Sequence, residues 1–260
     1  MLQVRIGIQL ASLRLSIKDA LHTAARLGAD GVEFDARGQI KPRDLSHTAM
    51  RELQKLLDDL NLRVCAVGFR TRRGYNVAED LDARIEATKQ AMRMAYELGA
   101  PVVINQVGSV PAESQGPEWD LLVQALSDLG RFGQHIGALL AAETGSESGE
   151  DLARLIRALP AGSVAVNFDP ANLIVNGFSP GDAVQALGEY IMHVHAKDGV
   201  RDLARGRGLE VPLGRGSVDF PELLGALEEH QYRGYLTIER ENCEHPVLEI
   251  SQAVSYLRNL

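Results

Sequence analysis

Four polar residues close four successive apolar runs: Glu143 ends LLAAE, Asp169 ends VAVNFD, His195 ends IMHVH and Glu239 ends YLTIE. A carboxylate or imidazole at the end of a buried strand is costly unless something pairs with it. Four such residues, one per strand, imply a shared cation. Three carboxylates and one imidazole form an oxygen-rich, mixed O/N donor set suited to a divalent ion such as Mn²⁺, Mg²⁺, Co²⁺ or Zn²⁺. Taken singly, each has a plainer reading. Glu143 can cap or salt-bridge, Asp169 before Pro170 can form a turn, His195 can bond a core carbonyl, and Glu239 can pair with Arg240 or Lys197. Their joint placement on consecutive strand ends favours the ion.

Other candidates are placed less tightly. Lys197 and Asp198 follow His195 in HAKD, where a loop-ordering ion pair competes with substrate contact. Asn105 and Gln106 end the fourth strand, where they could hydrogen-bond a polyol. Glu33 and Asp35 can reach the same mouth from the second strand, unless Glu33 pairs with an arginine inside the barrel. Arg207 is either an anion contact or a surface residue. Trp119 and Phe69 could wall a pocket, although aromatics at such places more often pack core.

The elements that must position these residues alternate from end to end. Short apolar runs recur as VRIGIQL, GVEFDA, RVCAVGF, PVVINQV, GALLAAE, VAVNFD, YIMHVHA and GYLTIE. Their apolar density without strict polar alternation fits parallel strands covered on both faces. Helical spacing fills the gaps. Leu53, Leu56, Leu57 and Leu60 form one stripe between Asp44 and Leu60, and Leu81, Ile85, Thr88, Met92, Ala95 and Leu98 form another. Ser16 with Asp19 reads as a variant capping box, and Ser179-Pro180 as a cap followed by proline at the first helical position. LGAD at Leu27–Asp30 and LGAP at Leu98–Pro101 each end a helix with glycine before a strand. Eight strands and eight helices in strict βα order predict a single-domain (β/α)₈ TIM barrel over residues 1–260, with the active site at the carboxyl ends of the strands. Gly206-Arg207-Gly208 falls in a long loop after the seventh strand, and no dinucleotide fingerprint opens the first helix. Strand alternation places Asn167 with Asp169, His193 with His195, and Thr237 with Glu239 and Glu241.

Composition narrows the function class. The chain has 260 residues, 45% of them hydrophobic, and a formal net charge of −8. That charge argues against a nucleic-acid partner. Basic clusters at Arg70, Arg72 and Arg73 and at Arg201, Arg205, Arg207 and Arg215 lack the interleaved aromatics of a nucleic-acid platform; they could contact an anionic small molecule. No apolar stretch approaches a membrane span. The N-terminal MLQVRIGIQL lacks the pattern of a signal peptide, so the cytoplasm is the expected compartment. Cys65 and Cys243 make no disulfide framework, and Cys65 within RVCAVGF is expected to be a core thiol.

At GADGVEFD, the Glu of AAET, NFDPAN, HVHAKDG, VPLGRGSVDFPELL and GYLTIERE, the chain resembles the xylose isomerase-like TIM-barrel superfamily, often described as sugar phosphate isomerases/epimerases. The resemblance covers essentially the whole chain. It implies that Glu143, Asp169, His195 and Glu239 bind one divalent metal ion, and that Glu143 and Glu239 also act as the acid/base pair. Asn105, Asn172, Lys197 and Arg207 are then the expected substrate contacts. Asn172 stands where many relatives carry histidine, a departure from the ketose 3-epimerase pattern. The superfamily's multi-zinc DNA-repair endonucleases need histidines at strand ends that here read VGFR and INQVG. The expected activity is a metal-dependent sugar isomerase or epimerase working through an enediolate on a small sugar or polyol. A dehydratase of a keto-inositol-like substrate is the alternative, and a non-catalytic sugar-binding barrel ranks third. Homo-oligomerisation is left open.

Overall fold

The computed structural model describes residues 4–202 and 207–260. Eight parallel strands close on themselves: β1 (Arg5–Gln9), β2 (Gly31–Asp35), β3 (Arg63–Gly68), β4 (Val102–Asn105), β5 (Leu139–Glu143), β6 (Val164–Phe168), β7 (Ile191–Ala196) and β10 (Tyr235–Ile238). The closed order runs β1-β10-β7-β6-β5-β4-β3-β2, which is the expected (β/α)₈ barrel. Every one of the eight sequence runs becomes one of these strands. The order brings the carboxyl ends of β5, β6, β7 and β10 side by side, so their terminal residues can meet.

The helices follow the sequence in most places. They are α1 (Ile17–Arg26), α2 (His47–Asp59), α3 (Leu81–Glu97), α4 (Pro117–Ile136), α5 (Gly149–Arg157), α6 (Pro170–Asn176), α7 (Pro180–Leu187), α8 (Phe220–Glu229) and α9 (Pro246–Arg258). The two LGA segments end their helices in the same way. After α1, Gly28 takes φ +83° while Ala29 N donates to Ala24 O; after α3, Gly99 takes φ +76° while Ala100 N donates to Ala95 O. This is the 6→1 closure that a left-handed residue permits. Ser16 Oγ accepts from Asp19 N and donates to Asp19 Oδ2, so the capping box closes side chain to side chain.

Two features depart from strict βα alternation. The β6–β7 connection carries two short helices, α6 and α7, where one was expected. Gly177 at φ +87° stops the first, and Ser179 Oγ accepts from Asp182 N to start the second at Pro180. The segment after β7, expected as loop, pairs antiparallel as β8 (Asp198–Asp202) with β9 (Arg207–Val211). Its hydrophobic alternation is weak because the hairpin leans on α6 through Gly199 and Gly208 rather than through a large apolar face. A Cβ on Gly208 would lie 2.5 Å from Val175 Cα.

The main core lies between strands and helices, with Phe34, Leu21, Met92, Leu126, Phe168 and Leu257 all buried. Inside the barrel a separate apolar layer consists of Ala66, Val102, Ile104, Ala141 and Ala165. Strand alternation carries this inward face upward, from Ala141 to Glu143 and from Ala165 to Asn167. A register shift between Val32 and Glu33 leaves Cys65 as an extra residue in β3. Its Sγ lies 3.4 Å from Thr237 Oγ1, and burial pushes the thiol up to about 12. Gly7 makes room for this pair, since a Cβ there would be 2.3 Å from Thr237 Oγ1 and 3.1 Å from Cys65 Sγ.

Candidate metal centre

Glu143, Asp169, His195 and Glu239 are buried at the carboxyl ends of β5, β6, β7 and β10, and each offers a ligand atom within 4.8 Å of the others. His195 is the hub. Its Nδ1 lies 3.1 Å from Glu143 Oε1, 3.3 Å from Glu239 Oε2 and 3.9 Å from Asp169 Oδ2. Its Nε2 points the other way, to Glu33 Oε2 at 2.8 Å.

Asp169 performs the turn role and leaves one oxygen over. Oδ1 accepts from Asn172 N at 2.9 Å, capping α6, and Thr144 Oγ1 accepts from Asp169 N at 2.8 Å. Among the described residues, Oδ2 is buried without a hydrogen bond, as is Glu143 Oε2. Lys197 Nζ stands 3.8 Å from Asp169 Oδ2. Two unpartnered buried carboxylate oxygens are a deficit that a divalent ion removes. With an all-oxygen and imidazole donor set around them, these residues fit such an ion.

The four residues are strongly coupled to one another and to the cations around them. Burial opposes ionisation of Glu239, but His195, Lys197 and Arg70 outweigh it and hold this carboxyl far below its ordinary range. Burial opposes ionisation of Glu143 too, and His195, by hydrogen bond and charge, lowers it. Asp169 goes the other way: burial, helped by Glu239 and Glu143, pushes it up to about 7 despite Lys197. His195 is raised well above an ordinary histidine, because Glu239, Glu33 and Glu143 overcome the burial penalty. Lys197 is raised by Asp169, Glu239 and Glu241 against its own burial.

A polar floor lies beneath the four. His193 Nδ1 bonds Asn167 Oδ1 and its Nε2 bonds Thr237 Oγ1, both at 2.8 Å. Burial lowers His193 well below the usual histidine range, so the ring is neutral. Asn167 Nδ2 then donates to Glu143 Oε1 at 3.3 Å. Glu33, His193 and His195 also approach one another closely enough to suggest a second cluster, but both ring nitrogens of His193 are already engaged.

The expected substrate contacts divide. Lys197 joins the centre, donating to Glu239 Oε2 at 3.1 Å. Asn105 is turned to a structural task. Its Oδ1 accepts from Thr71 N and Oγ1, its Nδ2 donates to Tyr75 OH at 2.7 Å, and it is fully buried. That geometry ties the β3–α3 loop to β4 and does not present the amide to a polyol. Asn172 is half-buried at the start of α6, its Cβ opposite Gly145. Arg207 opens β9, and its side chain lies outside the described residues, as does Gly206 of the GxG pattern. Asp198 makes no loop-ordering pair with Lys197. Its carboxylate instead accepts from the backbone N–H of Gly199, Gly214, Gly216 and Val218 at 2.8–3.2 Å, which explains why HAKDG and PLGRGSV occur together.

The sequence places Arg70 in a basic cluster and Glu241 on the face of Glu239 without joining either to the centre, and it does not single out Gln9 or Glu210. Arg70, just past β3, places Nη2 2.7 Å from Glu239 Oε1 and also pairs with Glu241. Glu241 reaches Lys197 Nζ at 3.5 Å, and Glu210 on β9 accepts from the backbone N–H of Glu241 and Asn242. Gln9, at the end of β1, donates from Nε2 to both Glu33 Oε1 and Glu239 Oε1, while its Oε1 accepts from Ser12 Oγ. Glu33 meets His195 and Gln9 rather than an arginine. Arg240 pairs away from the centre, with Glu210 and Glu249, both at 2.7 Å.

The family model described as "Xylose isomerase-like TIM barrel" matches residues 21–260. An inosose dehydratase of Clostridium beijerinckii is 24% identical over 257 residues, covering 87% of this chain and 82% of its own. The rhizopine catabolism protein MocC of Rhizobium meliloti is 29% identical over 233 residues, covering 75% and 69%. Among solved structures, a xylose isomerase domain protein from Planctomyces limnophilus superposes with a TM-score of 0.86 at 26% identity, covering 98% and 96%. Among the described residues no helix is long and apolar enough to cross a membrane.

Proposed function

We propose that this chain, which belongs to the xylose isomerase-like TIM barrel family, is a metal-dependent enzyme that removes a proton next to the carbonyl of a sugar-like polyhydroxy ketone. The observation that carries this reading is the cluster of Glu143, Asp169, His195 and Glu239 with two buried oxygens unpartnered. These four residues would hold the ion. When bound, it would supply Lewis-acid polarisation of the substrate carbonyl and stabilise the enediolate.

The remaining work falls to the chain. Glu143 and Glu239 flank Asp169 and His195 in the barrel order, and both are held ionised, as a base must be. One takes the proton and the other returns it, which gives isomerisation or epimerisation according to the carbon and face that receive it. Lys197, donating to Glu239 Oε2 at 3.1 Å, orients that carboxylate. Arg70, with its side chain 46% exposed, is the cation on the solvent side and would meet substrate oxygens at the mouth. Five carboxylates, Glu33, Glu143, Asp169, Glu239 and Glu241, face Lys197, Arg70 and His195.

A second reading shares the first step. The same enolate could expel a β-hydroxyl, making the enzyme a dehydratase, and the name of the Clostridium relative supports that branch. Incubating metal-loaded enzyme with a panel of ketoses, aldoses and inososes separates the two. Isomerisation conserves substrate mass, whereas elimination removes one water and yields a conjugated product absorbing in the ultraviolet. Failure of every substrate on the panel to change under any of the four metals would count against both.

A further inference from the structure

We infer that Glu33 is a positioning residue: it fixes the His195 ring so that Nδ1 rather than Nε2 is presented to the ion, and Gln9 holds Glu33 in place for that purpose. The inference rests on the four-residue site proposed above and assigns a role to two residues outside it.

The geometry leaves the ring little choice. Nδ1 faces the three carboxylates that would share the ion, at 3.1–3.9 Å, and lies 3.1 Å from Asn167 Nδ2, an amide donor that meets it only as an acceptor. Nε2 faces away from them, to Glu33 Oε2 at 2.8 Å. A histidine that ligates through one nitrogen must carry its hydrogen on the other, and a carboxylate partner fixes both that choice and the ring plane. Glu33 is itself held from two sides. Oε1 accepts from Gln9 Nε2 at 3.0 Å, and the orientation of that amide is set by Ser12 Oγ donating to Gln9 Oε1 at 2.7 Å. Gly68 backs the same oxygen so closely that a Cβ there would lie 3.1 Å from Glu33 Oε1. Glu33 is 2% exposed, so water does not compete for the bond. Gln9 Nε2 also reaches Glu239 Oε1 at 2.8 Å, so one amide on β1 holds both the ligand Glu239 and the brace of the ligand His195. The floor histidine, His193, has both nitrogens spent on Asn167 and Thr237 and cannot take over.

The test uses the full-length protein loaded with Zn²⁺ and ¹⁵N-labelled at histidine. In the wild type, long-range ¹⁵N–¹H spectra should show His195 protonated at Nε2 and metal-shifted at Nδ1. Glu33→Ala should weaken Zn²⁺ binding by about 10–100-fold, the range for loss of a carboxylate behind a ligating histidine, and should blur or reverse the tautomer signature. Glu33→Gln keeps an acceptor and the shape, so it should retain folding and recover most of the affinity. It also covers the case in which the alanine variant does not fold. A merely structural role would lower thermal stability in both variants and leave affinity and tautomer at wild-type values, and that result overturns the inference. Wild-type His195 ligating through Nε2 overturns it as well. A wild type that binds no Zn²⁺ removes the metal site itself, which is a different failure from wild-type binding that ignores Glu33.

Discussion

Two layers of the same barrel interior are equally buried and chemically opposite. The lower one, Ala66, Val102, Ile104, Ala141 and Ala165, holds small and branched apolar side chains. The upper one, Asn167, His193, Thr237, Glu33, His195 and the three ligand carboxylates, is polar throughout. The lower layer gains free energy from removing apolar surface from water and makes no demand on hydrogen-bond geometry. The upper layer gains little from burial and depends on every donor finding an acceptor. The contrast shows where stability and chemistry are separated in this fold. The strands run continuously from one layer to the other, and one alternation step, from Ala141 to Glu143 or from Ala165 to Asn167, crosses the boundary.

Substitutions in the two layers should therefore separate cleanly. The largest expected effect is on the ion: Asp169→Asn or His195→Ala should each reduce Mn²⁺ affinity, measured by calorimetry, by more than the roughly 10–100-fold expected from losing an outer partner. Unaltered affinity in both would remove the ligand assignment. Ile104→Ala, one layer down, should cost about 2–5 kcal/mol in urea denaturation through the cavity it opens, with Mn²⁺ affinity close to wild type. A large loss of affinity there would mean that the layers are not separable. Asp198→Ala strips the acceptor from four backbone N–H groups. It should destabilise by about 3 kcal/mol, since hydrogen bonds to charged groups are worth roughly 1.5–3 kcal/mol each and water replaces some of them. Hydrogen exchange should rise at 214–218 before it rises elsewhere.

The smallest effect depends on pH. Glu147, in the loop after β5, is pushed by burial up to about 7 from 4.5. The folded state therefore binds the proton more tightly than the unfolded chain does. Stability from this group is complete below pH 4.5, falls as pH rises toward 7, and stays lower above it. A rise of about 2.5 units at about 1.4 kcal/mol per unit makes the loss at pH 8 about 3 kcal/mol. Glu147→Gln cannot ionise, so its melting temperature should vary less between pH 5 and pH 8 than that of the wild type. An identical slope in both proteins would assign the dependence to other groups.

The legibility of the sequence follows the same division. The apolar layer and the helix stripes repeat with fixed periods, so the eight strands, the barrel and most helices could be read directly from Leu, Val, Ile and Ala spacing. The four strand-end residues were also readable, because a charge at the end of an apolar run breaks the pattern visibly. What spacing could not supply was pairing across strands. Glu33 was readable as a buried carboxylate, but nothing local says that its partner is His195, 162 residues away. Arg70 lies just past the end of β3, where no period constrains it. Asn105 sits at a strand end like the ligands do, yet its side chain turns to Thr71 and Tyr75. The β8–β9 hairpin escaped notice because glycines packed on α6, rather than alternating apolar residues, hold it.

The central claim is that Glu143, Asp169, His195 and Glu239 gather one divalent ion and, with it, labilise a proton beside a carbonyl. The most direct measurement is solvent exchange in D₂O, followed by NMR, using metal-stripped and Mn²⁺-reconstituted enzyme in turn on the same ketose and inosose panel. Mn²⁺ is removed before the spectra are recorded. The account predicts loss of the substrate proton next to the carbonyl only with the ion present, and its abolition in Glu239→Gln. Exchange at equal rates with and without the ion, or undiminished in Glu239→Gln, would contradict it.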